Sequence, residues 1–240
     1  MGPPPPPSRT PLEAWQSVVT PGREELVRLR ERVADQAPGP DVALCVLRHG
    51  ETTSNAGGLV TGTTDPPLTV RGRLQAQEAG RAIAGRAFAL GFASHLQRSR
   101  ETLELAIRAG GLALTDIAAD DRLAERSLGE LERKPIRPRD PRLAVDLAIA
   151  PPGGESYLEL TQRCLSFLLD VRCLAAQLAR PTSVLVCTHQ GPLRVLAAIL
   201  DEVSDPAGVR EQRFENGMVV ERVVSRLTWP AFAGALPRPG

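Results

Sequence analysis

Two of the three histidines in this chain lie just past runs of apolar residues that are typical of buried strands. His49 follows the apolar residues 42–47, and His189 follows the apolar residues 183–187. A lone histidine is more often a packed structural residue than a catalyst. A pair is different, because the carboxyl ends of parallel strands meet at one edge of a sheet, where open α/β folds bind their ligands. We therefore expect both imidazole rings to line one crevice.

Two arginines are expected at the same edge of the sheet. Arg48 precedes His49 directly, and Arg98 follows the apolar residues 88–93 at the start of the next predicted helix. Two guanidinium groups beside two imidazoles make a concentrated positive pocket, which indicates a multiply charged ligand such as a phosphate. Solvated surface charge is the alternative for the arginines. A metal site is the alternative for the histidines, but the arginines would repel a cation, and no carboxylate lies at helical ligand spacing from either histidine.

Hydrophobic periodicity predicts alternating strands and helices that would hold these residues in place. The predicted strands are residues 42–47, 88–93, 112–119, 183–187 and 218–224, of which the third is the weakest. The predicted helices are residues 69–85 with Thr69 as N-cap, 97–109, 155–180 and 192–200, with a short helix near 143–149. The long loop 51–68 is expected to be functional. This alternation implies a three-layer α/β/α sandwich with a mostly parallel central sheet.

One catalytic domain, residues 41–228, is predicted between two extensions. Residues 1–40 form a proline-rich tail and a helical extension, with the helix expected between about residues 12 and 36, and residues 229–240 form a C-terminal tail. The N-terminal extension has two candidate roles: it covers the mouth of the active site, or it mediates self-association as a homodimer.

Composition argues against several classes of protein. A chain of 240 residues with 42% hydrophobic content suits one domain with a sizeable core. A net charge of +1 and a pI of about 7.7 give no general attraction to nucleic acid or to an anionic membrane. No apolar run reaches membrane-spanning length, and the N-terminus lacks a secretory pattern, so a cytoplasmic location is expected. The cysteines are predicted to be small core residues without disulfides or zinc: Cys45, Cys164, Cys173 and Cys187.

A series of motifs along the chain resembles the histidine phosphatase superfamily, also called the phosphoglycerate-mutase-like family. Residues 48–55 resemble its signature RHGxTxxN. The later matches follow in the family's order: Thr61-Gly62; Asp65 to Thr69 with Gly72 and Gln75-Ala76, similar to DxPLTxxGxxQA; Ser94 to Arg98 with Thr102, similar to SxLxRxxxT; Leu123 to Arg126 with Gly129; Pro152 to Ser156, similar to PGGES; and Thr188 to Arg194. The resemblance covers about residues 42–224 and implies a phosphoglycerate-mutase-like fold.

The resemblance also implies roles for individual residues. His49 would be the nucleophile that forms a phosphohistidine, and Glu125 would protonate the leaving alkoxide and then help to activate water. Arg48, Arg98 and His189 would bind the phosphoryl oxygens, so that neither a metal nor another cofactor is needed. The substrate-binding residues carried over in this way are Asn55, Thr61, Gly62 and Gln190.

Some positions depart from the family's pattern. Gln190 stands where many relatives have glycine, although glutamine also occurs there in the branch that resembles fructose-2,6-bisphosphatase. His95 replaces a frequent proline and is expected on the pocket rim. Residues 132–142 are basic and are a candidate contact for a second anionic group on the substrate, but they lack the aromatic-plus-paired-arginine pattern of cofactor-dependent mutases. We therefore expect a phosphatase that acts on a small-molecule phosphomonoester. A phosphoglycerate-mutase-type phosphotransferase and a non-catalytic phospholigand-binding protein are the alternatives.

Overall fold

A central five-stranded sheet organises the protein. The computed structural model describes residues 25–36, 39–115, 117–136, 147, 149–178, 182–228 and 230–231. The strands are β1 (Val42–Arg48), β2 (Leu90–Ala93), β3 (Ile117–Ala119), β4 (Thr182–Thr188) and β5 (Val219–Val224). They lie in the order β3-β2-β4-β1-β5. All neighbours are parallel except β5, which runs antiparallel to β1 at the edge. The predicted mostly parallel sheet is confirmed.

Helices connect and cover these strands. They are α1 (Glu25–Ala34), α2 (Thr53–Ala56), α3 (Val70–Ala82), α4 (Gln97–Gly110), α5 (Tyr157–Leu178), α6 (Gln190–Leu200) and α7 (Pro206–Glu211). Two 3-10 turns, Asp121–Leu123 and Gly129–Leu131, flank Glu125. The Thr69 hydroxyl caps α3 by accepting from the Gly72 amide at 3.0 Å, as predicted. The short helices α2 and α7 are additions to the predicted set, because a helix of four to six residues carries little periodicity.

Alternating side chains of β1 supply two hydrophobic cores. Leu44 and Val46 join a cluster with α5 and α6, whereas Cys45 and Leu47 join a second cluster with α3 and α4. Successive residues of a strand point to opposite faces, so a sheet that is apolar at every position needs helices on both sides. Each fully buried aliphatic side chain contributes roughly 1.5–3 kcal/mol. The three-layer α/β/α arrangement is confirmed.

Several predicted details are corrected by the structure. The strand expected over residues 112–119 pairs only at Ile117–Ala119, because Leu112 and Leu114 are buried by packing against the second core and not by strand pairing. Cys173 is exposed, since it lies on the outer surface of α5, while the other three cysteines are buried. The short helix expected near residues 143–149 and most of the basic segment fall outside the described residues, as do residues 12–24.

The described part of the N-terminal extension packs on α5. Leu29 of α1 is buried in the larger core, and Arg32 forms an ion pair with the buried Asp170 of α5. The side-chain amide of Gln36 donates to the Leu227 carbonyl at 2.7 Å and its oxygen accepts from the Leu227 amide at 2.9 Å. Among the described residues, no helix is long and apolar enough to cross a bilayer.

Candidate active site

His49 and His189 lie side by side because each extends one of two adjacent parallel strands. Arg48 of β1 is paired with Thr188 of β4, so the next residue of each strand emerges at the same edge. The His49 amide donates to the Thr188 carbonyl at 3.0 Å. The ring centroids are 4.9 Å apart, and the two residues are 3% and 0% exposed. The register of β1 on β4 therefore brings the two rings into one buried crevice.

One hydrogen bond assigns the tautomer of His49. Its Nδ1 lies 2.7 Å from the carbonyl oxygen of Gly50, and because a carbonyl only accepts, Nδ1 must carry the proton. Burial lowers the pKa of His49 well below 6.5, and the neighbouring charges of Arg98 and Arg48 lower it further. The ring is therefore neutral at pH 7. Its Nε2 carries a free lone pair, which is the state that a nucleophilic imidazole needs.

His189 has the opposite tautomer. Arg98 Nε lies 3.2 Å from Nδ1 of His189, and a guanidinium only donates, so Nδ1 is the acceptor and Nε2 carries the proton. The Nε2–H group donates to Ser94 Oγ at 2.6 Å. Burial, followed by the charge of Arg98, lowers the pKa of His189 well below 6.5. The crevice thus holds one imidazole that offers a lone pair and one that offers a proton.

Arg98 is completely buried and is held by two backbone carbonyls and the Asp65 carboxylate. Its Nη2 donates to the Gly62 carbonyl at 2.8 Å and its Nη1 to the Thr64 carbonyl at 2.5 Å, while Asp65 Oδ1 lies 3.3 Å from Nη1. Burial lowers the pKa of Arg98, and the charges of Glu125 and Asp65 act in the opposite direction. The loop predicted to bind substrate through Thr61 and Gly62 therefore also forms the platform for this guanidinium.

Arg48 carries an unpaired N–H group. Its Nη1 donates to the Phe214 carbonyl. Among the described residues, its Nε is the buried side-chain nitrogen that has no hydrogen-bond partner. Burial lowers the pKa of Arg48, and Arg194 and Arg98 contribute in the same direction. A buried charged donor without an acceptor is costly, and an anionic ligand would satisfy it.

Glu125 lies at the N-terminus of α6, on the loop between the two 3-10 turns. Its Oε1 accepts from the Gly191 amide at 3.0 Å and from the Arg126 amide at 2.8 Å. A Cβ at position 191 would lie 2.4 Å from that oxygen, which explains the glycine. Helix N-termini favour carboxylates because free amides point at them. The carboxylate is thereby aimed by its neighbour's amide and by an amide of the helix that His189 caps.

Buried ion pairs and hydrogen bonds hold the loop that carries Glu125. Arg122 forms a bidentate pair with Asp120 through Nε at 3.0 Å and Nη2 at 2.8 Å, and its Nη1 reaches Asp170 of α5. The Thr188 hydroxyl donates to the Leu123 carbonyl at 2.6 Å, so β4 is tied to the same loop. Arg163 Nη1 donates to the Arg122 carbonyl at 2.6 Å. Charged side chains therefore hold the loop of Glu125 in place, as strand pairing does for His49.

Asn55 is oriented through its side-chain oxygen. This Oδ1 accepts from the Thr52 amide at 3.1 Å, from the Thr52 hydroxyl at 2.9 Å and from Asn216 Nδ2 at 3.4 Å. Thr52 and Asn55 together form a capping box on α2. With the oxygen occupied, the NH₂ group is the part of Asn55 that has donors to offer a ligand.

The remaining predicted binding residues contact the protein itself. Gln190 Nε2 donates to the Gln212 carbonyl at 3.3 Å. The Thr61–Gly62 turn is backed by Glu132, whose carboxylate accepts from the Thr63 amide at 2.9 Å. Gly62 has a φ of +54°, a conformation that favours glycine, and a Cβ there would lie 2.1 Å from Glu132 Oε1 and displace that carboxylate.

Sequence reasoning missed the segment 212–217, which borders the site between α7 and β5. Its carbonyls accept from Arg48, Gln190 and Arg194, and the side-chain amide of Asn216 donates to the His49 carbonyl at 3.0 Å. The turn-forming pair Asn216-Gly217 before a strand was the available signal.

Two further guanidinium groups near Glu125 also went unpredicted. Arg126 stacks over the Tyr157 ring at 4.2 Å, and Arg194 Nη1 donates to the Tyr157 hydroxyl at 3.3 Å. Their hydrogen bonds go to neutral acceptors, the carbonyls of Glu155 and Gln212. They therefore add to the positive potential of the pocket. Among the described residues, no group of three or more metal-binding side chains is present.

Comparison with known proteins decides the family. The model of the histidine phosphatase superfamily, branch 1, matches residues 44–226. The chain belongs to this superfamily. A curated relative named 2,3-bisphosphoglycerate-dependent phosphoglycerate mutase, from Azorhizobium caulinodans, is 31% identical over 187 residues, which cover 74% of this chain and 89% of the relative. A relative with the same name from Methylobacterium radiotolerans is 32% identical over 188 residues, covering 73% and 86%.

Solved structures of the superfamily share the fold. A mycobacterial glucosyl-3-phosphoglycerate phosphatase matches with a TM-score of 0.64 and 26% identity, over 76% of this chain and 90% of the other. A putative alpha-ribazole-5'-P phosphatase from Escherichia coli matches with a TM-score of 0.62 and 27% identity, over 77% and 97%. The superfamily members similar to this chain thus carry the names of both mutases and phosphatases.

Proposed function

We propose that this histidine phosphatase superfamily member hydrolyses a small-molecule phosphomonoester through a phosphohistidine on His49. The observation that carries the proposal is the state of this histidine. It is neutral because burial and two arginines lower its pKa, and the Gly50 carbonyl holds the proton on Nδ1. Nε2 is then free to attack phosphorus inside a pocket that, apart from Glu125, presents donors and cations.

In the first step, Nε2 of His49 attacks phosphorus in line with the departing oxygen. A P–N bond forms, the P–O ester bond breaks, and the leaving oxygen takes a proton from the Glu125 carboxyl group. The product alcohol leaves and a phosphohistidine remains. Glu125 suits this role because its carboxylate is aimed by the amides of Gly191 and Arg126.

In the second step, water replaces the alcohol. The Glu125 carboxylate accepts a proton from water as the oxygen attacks phosphorus, the P–N bond breaks, and inorganic phosphate forms. The electron pair of the broken bond returns to Nε2 of His49, and the carboxyl proton is restored. The enzyme is then ready for a further cycle without a metal or another cofactor.

The charge that develops on the phosphoryl oxygens needs donors that are already in place. Arg48 supplies the unpaired Nε–H, and Arg98 supplies a buried charge whose partners are mainly carbonyls. Asn55 contributes its NH₂ group. His189 contributes the Nε2–H that donates to Ser94 in this structure, and a phosphoryl oxygen would replace the serine hydroxyl as acceptor.

A phosphoglycerate-mutase-type phosphotransferase is the second candidate, because curated relatives at 31–32% identity bear that name. Hydrolysis is favoured by the sequence of residues 132–142, which lacks the aromatic and paired arginine residues expected for holding a departing phosphoglycerate. A mutase must retain its product until it is rephosphorylated, whereas a phosphatase needs only to admit water.

Phosphate release from a panel of phosphomonoesters, measured with chelator present, tests the proposal. We expect the wild-type protein to release phosphate and His49→Ala to lose at least about 10³-fold in kcat, since the covalent route is removed. His95→Ala is the matched control, because His95 is half exposed and pairs with Asp121 on the rim.

Four outcomes would contradict the proposal. Full activity in His49→Ala would remove the phosphohistidine, and loss of wild-type activity on adding chelator would indicate a metal. Transfer of label from a phosphorylated donor to an acceptor, with little free phosphate, would favour the mutase. Binding of phosphomonoesters without any turnover would favour the non-catalytic alternative.

A further inference from the structure

The motif that begins α3 has no part in the proposed reaction, although it contacts the turn that follows His49. It places Thr69, Gly72 and Gln75 at intervals of three residues across the start of α3. Residues spaced by three lie on the same face of a helix. This face packs against the turn Gly50-Glu51, which directly follows His49.

The contact between α3 and the turn is made largely by backbone. The Thr69 amide donates to the Glu51 carbonyl at 2.9 Å. A Cβ on Gly72 would lie 2.0 Å from that same carbonyl oxygen, and a Cβ on Gly50 would lie 2.1 Å from the Gly72 carbonyl oxygen. The two glycines are therefore required by a close approach of main chains. This approach brings the Gln75 side chain to the Glu51 amide, where its Oε1 accepts at 2.8 Å.

That hydrogen bond acts on the tautomer of His49 through one peptide plane. The Gly50 carbonyl and the Glu51 amide belong to the same planar trans unit, so they point in opposite directions. Gln75 holds the amide end of this unit. The carbonyl end accepts from Nδ1 of His49 at 2.7 Å. Fixing the Glu51 N–H therefore fixes the acceptor that keeps the His49 proton on Nδ1.

The preceding peptide plane is held independently. The His49 carbonyl accepts from Asn216 Nδ2 at 3.0 Å, and the Gly50 amide donates to Thr102 Oγ1 at 3.0 Å. Gly50 lies between the two planes, and glycine allows rotation that other residues resist. Without Gln75, the second plane can turn while the first stays in place. The Gly50 carbonyl would then leave Nδ1.

A neutral acceptor is needed at this position. A carboxylate so close to His49 would raise the pKa of the imidazole and promote protonation of the nucleophile. The carboxylate of Glu51 itself is turned towards α3, where its Oε1 accepts from the Thr69 hydroxyl at 2.8 Å. The amide oxygen of Gln75 accepts without bringing a charge.

We infer that Gln75 is a positioning residue, which sets the Nδ1–H tautomer and the ring orientation of His49 through the peptide plane between Gly50 and Glu51. The inference rests on the proposed function only for its catalytic consequence. The tautomer itself is a property of the free protein. It is measurable without substrate.

The test compares Gln75→Met with the matched control Gln77→Met, which makes the same substitution two residues along α3. Histidine ring ¹⁵N NMR distinguishes Nδ1–H from Nε2–H tautomers, and the His49→Ala spectrum assigns the His49 signals. We expect an Nδ1–H tautomer in the wild type and in Gln77→Met, and a shift towards Nε2–H in Gln75→Met. Phosphohistidine formation in Gln75→Met should slow about 10- to 100-fold, the scale of a misplaced reacting group.

Two further variants separate positioning from folding. Gln75→Glu keeps an oxygen acceptor and should retain the Nδ1–H tautomer, with a His49 pKa above that of the wild type. Gln75→Ala removes the acceptor without adding bulk and replaces Gln75→Met if that protein does not fold. An unchanged Nδ1–H tautomer in the variants without an acceptor would overturn the inference, and so would a changed tautomer with an unchanged rate. The proposed function fails separately, if His49→Ala remains active.

Discussion

The proposed nucleophile, His49, and the proposed acid, Glu125, are held in place by different forces. His49 continues a seven-residue strand that has a neighbour on each side, and hydrogen bonds join it to backbone groups and to the neutral side chain of Asn216. Glu125 lies on a loop between two 3-10 turns, and its loop is held by the charged groups of Asp120, Arg122, Asp170 and Arg163. Strand pairing and neutral groups therefore hold His49, and we call them the neutral scaffold. Buried ion pairs hold the loop of Glu125, and we call them the ionic scaffold.

The low pKa of His49 explains why no carboxylate is used to hold it in place. A carboxylate in contact with His49 would raise the imidazole pKa and favour the protonated form, which has no lone pair to attack phosphorus. The strand arrangement positions the ring without any carboxylate. Glu125 has no such restriction, and a loop without strand pairing needs side chains to fix it. Buried ion pairs do this at the cost of desolvation, so they are sensitive to the loss of one partner.

The largest expected effect tests the proposed role of Glu125 as the acid. Glu125→Gln keeps an oxygen for the amides of Gly191 and Arg126 but has no proton to give. We expect kcat for alkyl phosphates to fall about 10²- to 10⁴-fold, and kcat for aryl phosphates to fall much less, because an aryl oxide leaves without protonation. Steady-state kinetics on the two ester classes measure this. Equal slowing of both classes would remove Glu125 from the acid role.

A smaller effect tests the ionic scaffold. Arg122→Met leaves Asp120 buried without its bidentate partner, so we expect the free energy of unfolding to fall by about 3–5 kcal/mol. Arg222→Met is the matched control, because the Arg222–Asp201 pair is about one-third exposed and should be worth roughly 0–1 kcal/mol. Urea denaturation of both variants gives the comparison. Similar losses would show that the loop under Glu125 does not depend on its buried charges.

The smallest effect tests the neutral scaffold through pH. The folded-state pKa values of His49 and His189 lie well below the unfolded value of 6.5. As pH falls below 6.5, the unfolded chain takes up protons that the folded protein does not, so stability falls. Above that pH the two residues add no pH dependence. Each histidine contributes a limiting slope of about 1.4 kcal/mol per pH unit.

Denaturant unfolding over a pH series measures this slope. His49→Gln should reduce it by up to one histidine's share. A wild-type slope that His49→Gln does not alter would mean that His49 takes up its proton in the folded state. The explanation that neutral groups surround His49 in order to keep its imidazole unprotonated would then fail.

Much of the fold was predictable because its signals are local. The helices α3, α4, α5 and α6 and the strands β1, β4 and β5 have clear hydrophobic patterns, and the structure confirms them with ends that differ by at most three residues. The strand expected over residues 112–119 was too long, because burial of Leu112 and Leu114 resembles strand burial in a sequence. Cys173 was wrongly expected inside, since one small residue on a long helix does not reveal which side it faces.

The residues of the site also divide into those with a local sequence signal and those without one. His49, His189, Arg48 and Arg98 were expected at one edge because each follows or begins an element with a clear pattern, and the structure brings them together. Asn216, Arg126 and Arg194 were missed, since they come from a turn, a loop and the first part of α6, and their partners lie far away in the chain. The contact of Gln75 with Glu51 likewise depends on how closely α3 approaches the turn.

The sequence by itself determined which residues end each strand, the continuous apolar runs that require helices on both faces of the sheet, and the residue types that favour a phosphate. These follow from neighbours along the chain. Only the tertiary structure decided that β1 lies against β4, that the two histidines have opposite tautomers, and that buried ion pairs hold the loop that carries Glu125. The physical reason is that each of these depends on contacts between groups that are distant in sequence, whose distances arise only when the whole chain packs.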